Sequence, residues 1–294
     1  RNNILSRIKM LILIQKIILS VKPDLVQTWM KSNYIAPILK MRNPKIKFIL
    51  NFRHGVNKNY NIINTFILKN YMNIADGYIF VSNSAFKEFK NIGFSFKNSI
   101  VITNGFTKKD YNYHFDFNSN LVFGYVGRYN KIKNQEFLVK EFNEFATNKN
   151  VKLILAGRNL NFENFVDYIS SENKNKFIWK GEVNDPFEIY NNIDALILTS
   201  ISEGFPNVIG EAMSIGVPVI STNAGESFEI IGNSGYKING SSGSLTKILN
   251  KLFNKSEVLK VKSQMAYQEI QDNYLIEKKV DEYIRYYEKI IGGK

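Results

Sequence analysis

Two glutamates eight residues apart, Glu203 and Glu211, bracket the run Gly-Phe-Pro-Asn-Val-Ile-Gly. Residues 195–199 before them read as an apolar strand, Glu203, Gly204, Phe205 and Pro206 as a loop, Asn207, Val208 and Glu211 as part of a helix, and residues 217–221 as a second apolar strand. That is a right-handed βαβ unit of a parallel sheet, whose ligands bind beyond the carboxyl ends of the strands. Pro206 and Asn207 start the helix directly after a glycine-containing loop. The free N–H groups of its first turn, with the positive end of the helix dipole, therefore form an anion site. A carboxylate so close to a phosphate is repelled by it. The task that fits Glu203 and Glu211 is accepting hydrogen bonds from sugar hydroxyls beside the phosphates, which suits a sugar nucleotide better than a bare phosphate.

The same sheet offers cations. In Val126-Gly-Arg-Tyr-Asn-Lys-Ile-Lys133, Gly127 ends a strand, so Arg128 emerges at the carboxyl edge, and Lys133 stands at the start of a helix over 134–146. Arginine offers a planar fork for two phosphate oxygens and lysine a point charge. Lys131 is a rival for the lysine role. Asp-X-Asp motifs, histidine pairs and acidic clusters with ligand spacing are missing from the chain, so charge compensation falls to protein cations rather than a metal. Of the two histidines, His54 follows a strand in Phe-Arg-His-Gly55, and His114 lies in a polar stretch and receives no role.

Glu203-Gly-Phe-Pro-Asn207 with Glu211, followed by Gly216-Val-Pro-Val219 and Asn223-Ala-Gly225, resembles the E-x7-E signature of the retaining glycosyltransferases of family 4. Gly127-Arg128 with Lys133 matches that family's G-R-x(4)-K pattern. The resemblance implies the α/β GT-B fold, two Rossmann-like doubly wound parallel-sheet domains facing a cleft. It further implies that Arg128 and Lys133 bind the donor diphosphate, that Glu211 accepts the ribose hydroxyls and that Glu203 contacts the donor sugar. Backbone amides from Gly204 to Val208 then meet the sugar and the distal phosphate, Glu182 and Val183 border the base, and His54 faces the sugar from the first domain. Transfer with retention follows, either by same-face attack of the acceptor hydroxyl or through a covalent intermediate on Glu203.

The chain has 294 residues, 44% of them hydrophobic, enough for two domains, and it has no cysteine, which removes disulfide scaffolds and thiolate chemistry. Charge is unevenly placed. Residues 1–110 hold 18 Lys and Arg against 4 Asp and Glu, and residues 111–294 hold 21 against 22. A basic first half points to a polyanion: nucleic acid, an anionic membrane surface or a pyrophosphate-linked lipid. Helix-turn-helix, zinc and aromatic RNA-binding signatures are missing, so nucleic acid is set aside. No apolar run is long enough to span a bilayer. The most apolar helix, over residues 1–20, reads as a core-facing helix, with a membrane-surface helix as the alternative.

Alternating helices and strands (strands near 24–28, 47–51, 77–81 and 99–103; helices near 33–41, 61–74 and 84–91) build an acceptor-side domain over residues 1–112. Residues 111–120 read as the linker. A nucleotide-sugar-binding domain covers 119–275, with strands at 121–126, 151–156, 176–180, 195–199 and 217–221. The helix over 276–294 is expected to cross back to the first domain. The family pattern also implies that the first domain is incomplete, with about 50–80 residues preceding Arg1 for a domain of ordinary size.

The expectation is a metal-independent transferase without a bound cofactor, taking a nucleotide-diphosphate sugar, UDP-linked by default. Its acceptor is a lipid-linked or surface polysaccharide intermediate such as O-antigen or capsule, at the cytoplasmic face of a bacterial membrane. The alternatives are a truncated nucleotide-sugar-binding protein without transferase activity and a GT-B epimerase or hydrolase.

Overall fold

The computed structural model describes residues 4–56, 70–113 and 120–292. It divides into two compact units, Arg1–Thr103 with Lys279–Lys294, and Asn104–Lys278. The first holds 20 Lys and Arg against 6 Asp and Glu, the second 19 against 20. The uneven charge therefore follows the structural division.

In the first unit α1 (Ile4–Val21) leads into a parallel sheet of β1 (Leu25–Trp29), β2 (Lys47–Phe52), β3 (Gly77–Phe80) and β4 (Ser99–Val101), in that spatial order. α2 (Ala36–Arg42) and α3 (Asn83–Asn91) connect the strands. Ser82 caps α3, its hydroxyl accepting from the Ala85 amide. Most of the helix expected over 61–74 lies outside the described residues. Because strand side chains alternate, β2 and β3 bury both faces. Phe48, Leu50, Phe52 and Phe80 pack with Phe89 of α3 on one side. Ile49, Ile79 and Ile102 form the other, which is closed by Tyr286 and Ile290 of the last helix, Ile276–Gly292. Tyr286 ties that helix down, accepting from the Tyr78 amide and donating to the Asn98 carbonyl.

The core-facing reading of α1 holds only along Leu11, Ile14 and Ile18. Ile12, Leu13, Ile17 and Leu19 on its remaining faces are exposed. Apolar residues go most of the way round this helix, so one packed side leaves the rest uncovered. None of the helices among the described residues is long and apolar enough to cross a membrane.

The second unit is a six-stranded parallel sheet: β5 (Leu121–Val126), β6 (Val151–Ala156), β7 (Phe177–Gly181), β8 (Ala195–Leu198), β9 (Val219–Thr222) and β10 (Tyr236–Ile238). The spatial order is β10-β9-β8-β5-β6-β7. Its helices are α4 (Gln135–Ala146), α5 (Phe187–Tyr190), α6 (Asn207–Met213), α7 (Ser227–Ile231), α8 (Ser244–Asn254) and α9 (Val258–Asn273), and the last helix is α10. Strand order reverses between β5 and β8, and in doubly wound sheets the crevice at that switch point receives ligands. One feature differs from the strands read from the sequence. β10 adds a strand of three residues, too short for a periodic pattern to betray, and Asp185-Pro186 starts a helix of a single turn.

At the opposite edge of this sheet the Asp194 carboxylate accepts from the Val122 amide at 2.7 Å, and the Tyr113 hydroxyl donates to the Asp194 carbonyl at 3.0 Å. Tyr113, in the segment read as linker, is thus part of the second unit's core. Burial pushes the Asp194 carboxyl up to about 6, against an opposing amide hydrogen bond. A folded-state value above the unfolded one means that the native protein binds more protons between about pH 4 and 6, so this group's contribution falls as pH rises through that window. Asp194→Asn keeps the acceptor without the charge. It is expected to flatten that pH dependence and to raise stability above pH 6 by about 3 kcal/mol at most, read by urea unfolding from pH 4 to 7.5.

Candidate active site

The loops after β5 and β8 carry Gly127, Arg128, Lys133 and Glu203, and they are stitched together. The Thr199 hydroxyl donates to the carbonyls of Lys133 (3.1 Å) and Asn134 (3.2 Å), and the Ile201 amide donates to the Ile132 carbonyl at 2.8 Å. Gln135, buried at the start of α4, donates its amide N–H groups to the Arg128 carbonyl (2.8 Å) and the Tyr125 hydroxyl (2.9 Å). A buried side-chain amide with both partners satisfied fixes the loop that presents Arg128. The Gly127 amide continues the β5–β6 ladder by donating to Ala156, and Asn134 takes a left-handed conformation that turns the chain into α4.

The stitching places Lys133 Nζ 2.6 Å from Glu203 Oε1, with both side chains largely buried. The Ser200 hydroxyl donates to the same oxygen at 2.6 Å. Lys133, not its rival Lys131, therefore reaches the glutamate loop. Arg128 is exposed, with no carboxylate within ion-pair distance among the described residues. Its charge is available to an anion.

Glu211, in the second turn of α6, is half-buried and accepts from the Tyr190 hydroxyl through Oε2 at 2.9 Å. Burial, reinforced by the negative charge of Asp185, pushes the Glu211 carboxyl up, and the Tyr190 hydrogen bond pulls it back.

Between the two glutamates, α6 begins at Asn207 after Pro206 with no side-chain cap. The Asn207 side chain is held by Asn104 at 2.6 Å, and Phe205 stacks on Phe106 with ring centroids 6.2 Å apart. Phe106 also lies against Gly210, where a Cβ would fall 2.0 Å from its ring. Gly225 passes beneath the same loop at φ +60°, and a Cβ there would fall 2.5 Å from the Glu203 carbonyl and 2.6 Å from that of Gly204. This accounts for glycine in the Asn223-Ala-Gly225 motif on both conformational and steric grounds.

Glu182 and Val183 follow β7, an edge strand three places from β8, with Glu182 exposed and Val183 half-buried against the core. His54 belongs to the first unit. There it is exposed and lines a cavity of about 390 Å³ with Lys31, Asn33, Arg53, Phe52 and Met72. Arg53 lies over the Trp29 ring at 5.2 Å. His114 lies outside the described residues.

Residues 120–255 match the family described as glycosyl transferases group 1. Among curated proteins, the capsular polysaccharide biosynthesis glycosyltransferase CapM of Staphylococcus aureus is 35% identical over 141 residues, 46% of this chain and 35% of that protein. The lipopolysaccharide 1,6-galactosyltransferase of Salmonella typhimurium is 35% identical over 108 residues, 35% of this chain and 30% of that protein. The chain thus matches about a third of the length of these relatives. The fold reaches further. The glycosyltransferase from Rickettsia africae superposes with a TM-score of 0.83 at 19% identity, covering 100% of this chain and 83% of that one. Anabaena HepE in complex with UDP superposes with 0.80 at 19% identity, covering 94% and 81%. The two parallel-sheet units are those of the GT-B fold.

Sequence reasoning missed Tyr190, Gln135, Thr199 and Ser200. Each is an ordinary core or strand-end residue by pattern, and only its contacts give it a role: Gln135 and Thr199 brace the loop after β5, Ser200 holds Glu203 and Tyr190 holds Glu211.

The close approach at Gly225 is separable from its backbone conformation. Gly225→Ala is expected to lower stability in urea by at least about 2 kcal/mol more than Gly243→Ala, which shares a positive φ but has no neighbour within 4 Å.

Proposed function

We propose that the chain is a retaining glycosyltransferase of family 4 that moves a sugar from a UDP-linked donor to a lipid-linked or surface polysaccharide acceptor. The observation that carries this reading is the Lys133–Glu203 contact at the sheet's switch point, with Arg128 exposed on the same loop system and Glu211 eight residues beyond Glu203. The match of residues 120–255 to the group 1 glycosyltransferases supports it.

On this reading the diphosphate is met by Arg128, Lys133 and the backbone N–H groups of Gly204, Phe205, Asn207 and Val208, so compensation of the leaving charge is supplied by the protein and needs no metal. Lys133 is held by Glu203 at 2.6 Å and exchanges part of that contact for phosphate oxygen. Glu211 accepts the ribose hydroxyls, and the base lies toward Glu182 and Val183. Glu203 contacts the sugar through the oxygen that Lys133 and Ser200 leave free. An ammonium and a hydroxyl on the other oxygen withdraw electron density from the carboxylate, which favours same-face attack over a covalent intermediate on Glu203. The acceptor hydroxyl bonds to the anomeric carbon, the bond to the diphosphate oxygen breaks with its electrons, and that oxygen takes the hydroxyl proton.

The acceptor is assigned to the first unit. The cavity at His54 combines Lys31 and Arg53 with Phe52, Met72 and Phe89, which suits a phosphate joined to an apolar chain. The names of the capsular and lipopolysaccharide relatives favour an acceptor of that kind. The first unit's 20 Lys and Arg against 6 Asp and Glu support placement at the cytoplasmic face of an anionic membrane.

A nucleotide-sugar panel read by thermal shift and calorimetry tests the site. Arg128→Ala and Glu211→Ala are each expected to weaken UDP-sugar binding by at least about tenfold with little change in the unliganded melting temperature. Unchanged affinity in both variants overturns the reading. The membrane placement is tested separately: the protein should co-sediment with phosphatidylglycerol vesicles at low salt and leave them at high salt. No retention at low salt removes it.

A further inference from the structure

We propose that Tyr190 is a positioning residue for nucleotide recognition, orienting the Glu211 carboxylate so that the site selects ribose over 2′-deoxyribose. This rests on the reading above, in which Glu211 receives the ribose hydroxyls.

Tyr190 ends the one-turn helix α5, and its side chain is buried to 1% exposure. Its ring packs edge-on against Phe187 with centroids 5.5 Å apart, so its position is set by the core. A phenylalanine would fill that space equally well. The hydroxyl donates to Glu211 Oε2 at 2.9 Å, and among the described residues it makes no other hydrogen bond. A buried phenol with a carboxylate as partner makes a charge-assisted bond, stronger and more directional than a neutral one. Glu211 is held from one side by this bond alone. The Ser214 hydroxyl bonds to the Glu211 main-chain carbonyl and not to its carboxylate, so among the described residues the Tyr190 bond is the carboxylate's hydrogen bond.

The geometry has two consequences. With Oε2 engaged by a fixed donor, the carboxylate cannot swing freely about its side-chain torsions. A carboxylate fixed in this way suits vicinal hydroxyls, which need two acceptor sites at a set spacing. Secondly, the charged and titratable groups acting on Glu211 are Tyr190, which favours the ionised form, and Asp185, which opposes it. Asp185 starts the α5 turn, its carboxylate accepting from the Phe187 amide at 3.0 Å. Removing the Tyr190 hydroxyl leaves burial and Asp185 to act alone on Glu211.

The test uses the full chain, with UDP and 2′-deoxy-UDP as probes, and the wild type, Tyr190→Phe, Glu211→Gln and the double variant. Calorimetry should give the wild type a preference for UDP of at least about tenfold, as expected when a built polar site loses a hydroxyl. Tyr190→Phe should cut that preference several-fold while leaving 2′-deoxy-UDP affinity unchanged. In the double variant the second substitution should add nothing. In Tyr190→Phe the loss of UDP binding on acidification should also begin at higher pH. A folded Tyr190→Phe protein that keeps the full preference and the wild-type pH profile overturns the proposal and leaves the Glu211 assignment standing. A wild type that binds UDP and 2′-deoxy-UDP equally, or neither, overturns the Glu211 assignment and this inference with it.

Discussion

The stitching of the loops after β5 and β8 is the constraint on which the second unit's site depends. Four hydrogen bonds do most of it: Thr199 to the carbonyls of Lys133 and Asn134, Ile201 to Ile132, and Gln135 to Arg128. Each ends on a backbone carbonyl of the loop after β5 or the start of α4, so main-chain groups tie the two loops together. The 2.6 Å Lys133–Glu203 contact follows from it, because two long side chains rooted on mobile loops would lose most of that gain to entropy. Here the two backbones are already held.

The polar side chains are distributed around that frame with little redundancy. Lys133 and Ser200 share one oxygen of Glu203, and Tyr190 takes one oxygen of Glu211. Each glutamate is thereby oriented by the protein on one side only. The packing beneath is tight where the loop turns: Phe106 against Gly210, and Gly225 against the carbonyls of residues 203 and 204. Polar orientation from above and close packing from below act on the same short stretch of chain.

Much of this was legible in the sequence, and the part that was not has a physical reason. The apolar runs 121–126 and 151–156 became β5 and β6 without change of limits, since a strand buried on both faces leaves a continuous apolar signal. Glu203, Glu211, Arg128 and Lys133 stood out because their spacing is fixed by local chain geometry. Tyr190 and Gln135 did not, because their partners lie on other elements and a buried tyrosine has the same pattern whether its hydroxyl serves a site or not. α1 misled in another way: its apolar positions spread round the helix, and periodicity could not tell which were covered.

The first unit is built from two stretches of chain that are far apart in sequence. Ile49, Ile79 and Ile102 find Tyr286 and Ile290 only after Asn104–Lys278 has been made. At about 5–20 residues per second, synthesis of that intervening stretch takes roughly 9 to 35 s. For that time the nascent first unit carries an open apolar sheet face, whereas the second unit is continuous in sequence and can collapse as it emerges. The order of assembly during translation is therefore the reverse of the order of the units along the chain, and the early segment is the one that needs a chaperone's protection.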